Sequence, residues 1–292
     1  MKRRRKRRNQ RAWFFTGMMF LFLVWIILFC GEDMEGNSER YTETGQDDGL
    51  VKGSTTKDYA SKEDNKPAYL ENLDDIEAGT VLADFKVDAR QAAKYFTVNE
   101  IDDDIRQYID GRSYVENDDI QLEELRYLKI LHYNYDHEIQ AGELIVNAKI
   151  AEDCREVFQE LFAREYEIES MYLIDKYWTG NSVDSDTASI EHNNTSAFNY
   201  RVVPNTKRLS KHAAGFAIDI NPLQNPYVKY NSDGSFAKYY KDMEKYTDRD
   251  QKKEHMISHD DICFQIFKKH GFVWGGDWNS SKDYQHFEKI TE

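Results

Sequence analysis

His212 and Asp219 stand seven residues apart in Ser210-Lys-His-Ala-Ala-Gly-Phe-Ala-Ile-Asp-Ile-Asn-Pro222, and this spacing restricts how the stretch can fold. From a single helix face, an imidazole and a carboxylate so placed are poorly set to share one metal. They meet when a turn precedes an extended segment, because strand residues alternate faces and the turn swings the imidazole back over the strand. Gly215 and the small Ala213, Ala214 and Ala217 permit the close backbone approach this needs. A third ligand candidate, His286, lies near the C-terminus in Asp283-Tyr-Gln-His-Phe-Glu288, shortly after Trp274-Gly-Gly-Asp-Trp278. Two imidazoles and one carboxylate leave a fourth position open to water, the arrangement of catalytic rather than structural zinc.

Together the two blocks resemble the VanY-type D-alanyl-D-alanine carboxypeptidase family of zinc peptidases (peptidase family M15), and most nearly its endolysin-like subfamily. The pattern S-x-H-x-x-G-x-A-x-D is carried by Ser210, His212, Gly215, Ala217 and Asp219. W-G-G-D-W then falls on Trp274 to Trp278, and D-x-x-H-F on Asp283, His286 and Phe287. Similarity extends upstream through Asn194–Arg201 and Gly142–Asn147. One H-x6-D pair is weak evidence, whereas the joint pattern in this order is strong.

The resemblance implies one zinc ion per chain, held by His212, Asp219 and His286. It places the acid/base carboxylate at Asp283, where many members carry Glu, with Asp277 as the competing carboxylate, read as structural or substrate-orienting. Arg201 is implied as the group that stabilises an oxyanion or grips a substrate carboxylate, a role suited to its fork of donors. Ser210 is read as a donor near the metal or, equally, as a turn residue. Trp274 and Trp278 are read as walls of a substrate groove, although packing would explain either one alone. The implied substrate is the peptidoglycan stem peptide. The expected reaction is an L-alanyl-D-glutamate endopeptidase, with a D-alanyl-D-alanine carboxypeptidase as the alternative. A non-catalytic zinc-containing wall-binding module is the rival from another class.

The N-terminus sets the expected compartment. Eight Lys/Arg and no acid fall within residues 1–11, and residues 12–30 then run nineteen residues without a charge, about the length that spans a bilayer's hydrocarbon core. The expectation is a single-pass bacterial membrane anchor with its basic tail cytoplasmic and everything after Cys30 outside. No small-x-small site follows the apolar run to suggest a cleaved signal peptide. Without those eight cations the formal charge falls from −14 to −22, which argues against a nucleic-acid partner. A monomer is expected.

Residues 31–66 are acidic, rich in Gly, Ser and Thr and without a sustained period, and read as a flexible tether. Residues 67–118 are an extension of undecided status, with helical spacing from Ile101 to Tyr114. Residues 119–292 are the expected zinc peptidase domain. There the leucines at 122, 125, 128 and 131 predict an amphipathic helix over Leu122–His132. A strand is expected at Leu144–Val146, a helix at Ile150–Phe162 and a strand at Met171–Ile174, followed by a polar loop through Asn194. Phe198–Arg201 and Phe216–Ile220 read as extended, and Asp260–Phe267 as a helix stopped at Gly271. Phe272–Trp274 and His286–Phe287 read as closing strands. Helices and strands do not alternate regularly, so the expected class is α+β. The resemblance refines it to a small antiparallel sheet flanked by helices, hedgehog/DD-peptidase-like.

Cys154 and Cys263 lie on apolar helix faces and read as buried free thiols, with a bridge between them as the alternative. His132, His137, His192 and His270 read as ordinary surface or core residues. His255 and His259 have H-x3-H spacing but no Glu between them, and only superficially suggest a second metal site.

Overall fold

A computed structural model of the chain describes residues 68–83, 85–87, 89–204, 206–238 and 241–290. The basic tail, the expected span over 12–30 and the tether lie outside the described residues. Among the described residues, no helix is long and apolar enough to cross a membrane. The elements run β1 (Ala68–Tyr69), β2 (Phe85–Lys86), β3 (Thr97–Asn99), α1 (Asp103–Ile109), β4 (Leu125–Tyr133), β5 (Ile139–Asn147) and α2 (Ala151–Ala163). They continue with β6 (Ser170–Met171), α3 (Ser182–Glu191), β7 (Asn194–Thr195), β8 (Ala217–Asp219), β9 (Tyr227–Tyr230) and β10 (Phe236–Lys238). The last are α4 (Ile262–Lys269), β11 (Phe272–Trp274), β12 (Ser281–Asp283) and β13 (His286–Lys289).

Three small antiparallel sheets form, in the orders β3-β4-β5, β11-β13-β8 and β10-β9-β12, beside the parallel pairs β1-β2 and β6-β7. The result is a mixed α/β fold with four α-helices among the described residues, of the α+β kind the irregular element order implies. One hydrophobic core runs through it, joining Leu128 and Ile130 of β4, Val157 and Leu161 of α2, Ile218 of β8, Phe267 of α4 and Phe287 of β13. Leu70, Leu73, Leu82, Tyr95 and Phe96 belong to that same core. Residues 97–99 also pair with 127–129 of β4, so the segment after residue 67 is built into this unit.

The helix expected over Leu122–His132 is a strand. Leu125 and Tyr127 feed a second cluster with Ile109 and Ile145, while Leu128 and Ile130 feed the main core. β4 is the central strand of its sheet and is covered on both faces. Apolar residues therefore recur more densely than strict alternation, and the leucines alone mimic a helical stripe. The expected polar loop before Asn194 is the second correction. It contains α3, started by the Asn181 side chain, which accepts from the backbone N–H groups of Val183 and Asp184. The cap was legible in type, but α3 buries mainly Ser185, Ser189 and Ile190, which leaves no apolar stripe to read. Met171–Ile174 is strand only at Met171, with a short 3-10 turn from Ile174. Phe198–Arg201 holds no regular element.

The remaining elements follow their expected signals. α2 presents Cys154, Val157 and Leu161 to the core. α4 is capped by Asp261, whose side chain accepts from the Cys263 N–H at 2.8 Å, and it ends before Gly271 at φ +81°. Cys154 and Cys263 are buried free thiols.

His132 on β4 is buried, with its Nε2 unpartnered. Burial pushes its pKa down from 6.5 to about 4, outweighing the backbone carbonyl of Tyr133. A depressed histidine pKa means that the unfolded chain binds the extra proton. The fold therefore loses about 3 kcal/mol as pH falls from about 6.5 to about 4. His132→Leu is expected to flatten this part of the stability–pH curve in urea titrations. An unchanged slope would show that the acid sensitivity lies elsewhere.

Candidate metal centre and active site

The site is assembled where β5, the 194–201 segment, the 212–219 hairpin and β13 converge. β8 and β13 pair in register, so that Asp219 lies directly opposite His286. The chain reaches β8 through a 3-10 turn, His212–Ala214, closed by Gly215 at φ +71°. Gly215 is required on two counts. Its backbone is left-handed, and a Cβ there would meet the Asn147 backbone N at 2.5 Å. Asn147, at the end of β5, ties down this turn by donating from its N–H to Gly215 O at 2.9 Å and from Nδ2 to Ala214 O at 3.1 Å. The upstream segment completes the cradle: Ser196 and Asp219 exchange backbone hydrogen bonds at 3.1 and 2.8 Å.

His212, Asp219 and His286 are each buried, and one ligand atom from each lies within 4.8 Å of the others. His212 Nε2 and His286 Nδ1 stand 3.3 and 3.0 Å from Asp219 Oδ1, and 3.2 Å from one another. The far nitrogens identify the tautomers. His212 Nδ1 lies 2.6 Å from the Ala197 carbonyl, to which it can only donate, and His286 Nε2 lies 3.3 Å from Glu288. With both far N–H groups spent outward, the inner nitrogens present lone pairs toward the same point as the carboxylate. Three potential ligand atoms so close could share one cation, and two imidazole nitrogens with one carboxylate oxygen suit zinc. The residues fit the expected ion.

Electrostatics agree with that fit. Burial alone would raise the Asp219 carboxyl, yet His212 and His286 overcome it and hold Asp219 well below the ordinary carboxylate range. Burial alone would likewise lower His286, but its hydrogen bonds to Asp219 and Glu288 push it up to about 10. In the absence of a metal, protons therefore do part of the work of the cation.

Beside the triad, Asp283 ends β12. Its Oδ1 is buried and has no hydrogen-bond partner. Burial and the neighbouring Asp219 carboxylate push Asp283 up to about 7, against the pull of His286 and Arg201. Gly275 brings this group close, since a Cβ there would meet Asp283 O at 2.6 Å and His286 Cβ at 3.2 Å. Arg201 reaches the same neighbourhood, and its NH2 pairs with Asp186 Oδ2 of α3 at 2.8 Å. The Arg201 side chain is only 10% exposed, and its Nε is buried without a partner.

The other expected site residues have different places. Ser210 Oγ accepts from the His212 N–H at 3.3 Å, holding the turn. Trp278 is half-buried, with its ring 5.2 Å from that of His286, and so flanks the site. Trp274 does not wall a groove. It is 5% exposed, its Nε1 donates to Tyr284 O at 2.8 Å, and its ring packs on Phe264 and Phe287. Asp277 is exposed and paired with His259 at 2.7 Å, while His255 pairs with Glu167 at 2.8 Å. The H-x3-H pair thus spends its imidazoles on separate carboxylates. A separate cleft of about 560 Å³, lined by Tyr108, Tyr127, Glu143 and Tyr172 among others, includes none of the three ligands.

Three contributors went unassigned in the sequence. Glu288 was legible, since it lies two residues beyond His286 and a strand returns it to the same face. Asp186 was hidden by the missed helix. The Ala197 carbonyl is backbone and has no sequence signal.

Residues 204–289 match the family model described as D-alanyl-D-alanine carboxypeptidase, of peptidase family M15. The match contains all three ligands, Ser210, Asp283 and Glu288, whereas Arg201 and Asp186 precede it. No curated protein and no solved structure matches the chain.

Glu288→Gln is expected to weaken zinc binding about tenfold to a hundredfold, because the outer hydrogen bond fixes the His286 ring and its basicity. Chelator competition followed by metal analysis measures this. Unchanged affinity would remove Glu288 from the site.

Proposed function

We propose that this chain, whose residues 204–289 belong to the M15 D-alanyl-D-alanine carboxypeptidase family, is a membrane-anchored zinc peptidase that hydrolyses peptide bonds in peptidoglycan stem peptides outside the cytoplasm. The observation that carries the chemistry is a buried His/Asp/His triad with an unpartnered carboxylate oxygen beside it. The basic tail and uncharged run at the N-terminus support the location.

His212 Nε2, Asp219 Oδ1 and His286 Nδ1 would hold the zinc. Zinc in such a site supplies Lewis acidity and lowers the pKa of water from about 15.7 to about 7. Asp283 is suited to take a proton at Oδ1 from the attacking water and return it to the leaving amine, because that oxygen lies beside the triad with no other hydrogen-bond partner. Arg201, whose charge already acts on Asp283, is suited to the charge that develops on the carbonyl oxygen. Trp278 shields one side of His286. The proposed bond is L-alanyl-D-glutamate, after the endolysin-like sequence pattern. The second reading is removal of a terminal D-alanine, favoured by the family description.

Digestion of purified peptidoglycan with zinc-loaded protein, read by mass spectrometry, separates these readings. New N-termini at D-glutamate support the endopeptidase, and loss of one terminal D-alanine the carboxypeptidase. A wall left intact by a chain that still holds one zinc would overturn hydrolysis and leave a wall-binding module.

Asp283 also gives a stability signature. A carboxyl raised from 3.8 to about 7 on folding costs stability that grows as pH rises through that interval and persists above it. In metal-free protein, Asp283→Asn is expected to stabilise the fold at pH 8 by on the order of 2 kcal/mol, allowing for partial exposure. It should do nothing at pH 4, and it should abolish hydrolysis. Thermal unfolding at both pH values checks the first part, and a destabilised variant at pH 8 would contradict it.

A further inference from the structure

We infer that Asp186, a residue of α3 outside the matched segment, is a positioning and specificity residue that biases this site toward internal or blocked peptide bonds and against free C-terminal carboxylates. The inference rests on the peptidase reading of the site.

Three observations carry it. Asp186 Oδ2 lies 2.8 Å from Arg201 NH2, and the two side chains are only 17% and 10% exposed. The pair is therefore a fixed, largely desolvated ion pair rather than a surface contact. Arg201 Nε is buried with no partner, and so is Asp283 Oδ1. One N–H donor and one carboxylate acceptor are thus left unfilled in the same neighbourhood, where Arg201 and Asp186 both act electrostatically on Asp283.

Substrate charge then decides what can fill the gap. Arg201 and Asp186 sum to zero, so the guanidinium offers a hydrogen bond without a net positive charge. An amide carbonyl that hydrogen-bonds the guanidinium brings no charge of its own. A substrate carboxylate at the same place would share one guanidinium with Asp186 while facing Asp283, and a buried surplus of negative charge is costly. A lone arginine would invert that preference, as a full cation with a fork that fits a carboxylate. Asp186 touches no substrate in this scheme. It acts by holding Arg201 in one orientation and by cancelling its charge.

The test compares zinc-loaded full-length protein on two peptides of one sequence. In both, the scissile bond is followed by a single residue, which ends in a carboxamide in one and a free carboxylate in the other. The wild type is expected to favour the carboxamide. Asp186→Asn keeps the shape but removes the charge. It should lower kcat on both peptides and lower KM for the free acid about tenfold relative to the carboxamide, as one uncancelled charge at short range allows. Asp186→Glu should retain the wild-type preference. A wild type that favours the free acid, or an unchanged ratio in Asp186→Asn, overturns the inference while leaving the peptidase reading intact.

If the wild type cleaves neither peptide, the peptidase reading is what has failed, and NMR of the arginine Nε–H groups still decides the positioning role. Arg201→Lys identifies the Arg201 signal, which should exchange slowly in the wild type and quickly in Asp186→Ala. A signal that stays slow in Asp186→Ala would show that Asp186 does not hold Arg201.

Discussion

The buried carboxylate of Asp219 is the constraint on which the rest of the site depends. An anion taken out of water at the end of a short strand is tolerable only if positive charge is delivered to it. The fold brings two imidazoles to the same oxygen, His212 across the Gly215 turn and His286 on the paired strand, so that one cation among the three ligand atoms would meet that need. Each imidazole is oriented from behind, one by the Ala197 carbonyl and the other by Glu288. The sheets, the turn and the 194–201 segment are in this sense scaffolding for one oxygen atom and the cation it calls for. Asp283 lies beside this arrangement, and burial together with the negative charge of Asp219 raises its carboxyl in the metal-free site.

The parts of this design that rest on local geometry were legible in the sequence. The H-x6-D spacing demanded a turn into a strand, and the structure supplies a left-handed Gly215 followed by β8. The twin glycines of Trp274–Trp278 announced a tight turn. Close packing against Asp283, His286 and the Trp274 ring explains why neither glycine can carry a side chain. Features that depend on tertiary cover were not legible. β4 looked helical because burial on both faces erases the two-residue alternation, and α3 looked like a loop because serines line its inner face. Missing α3 concealed Asp186 as well. Trp274 was misplaced for a related reason: a tryptophan beside a catalytic motif reads the same whether its ring faces a groove or the core, and only its spent N–H distinguishes the two.

Chemistry is unevenly distributed between the family segment and the rest of the chain. The three candidate ligands and Asp283 fall inside residues 204–289. Among their supports, Glu288 behind His286 lies inside the segment, whereas Asn147 behind the turn and Ala197 behind His212 come from the preceding sequence, as does the Arg201–Asp186 pair. The earlier elements thus supply much of the support for the side chains that the segment carries. This explains why residues from Leu70 onward share one core with the site instead of forming a detachable appendage.

The carboxylate proposed to move protons and the histidine proposed to bind metal belong to different sheets. Asp283 closes β12, which pairs with β9, while His286 opens β13, which pairs with β8, and only Tyr284 and Gln285 separate them. Drift at β12 can therefore silence turnover without disturbing the ligand set. On the proposed reading, a few substitutions in this one edge strand would be enough to turn a hydrolase into an inert metal-carrying module.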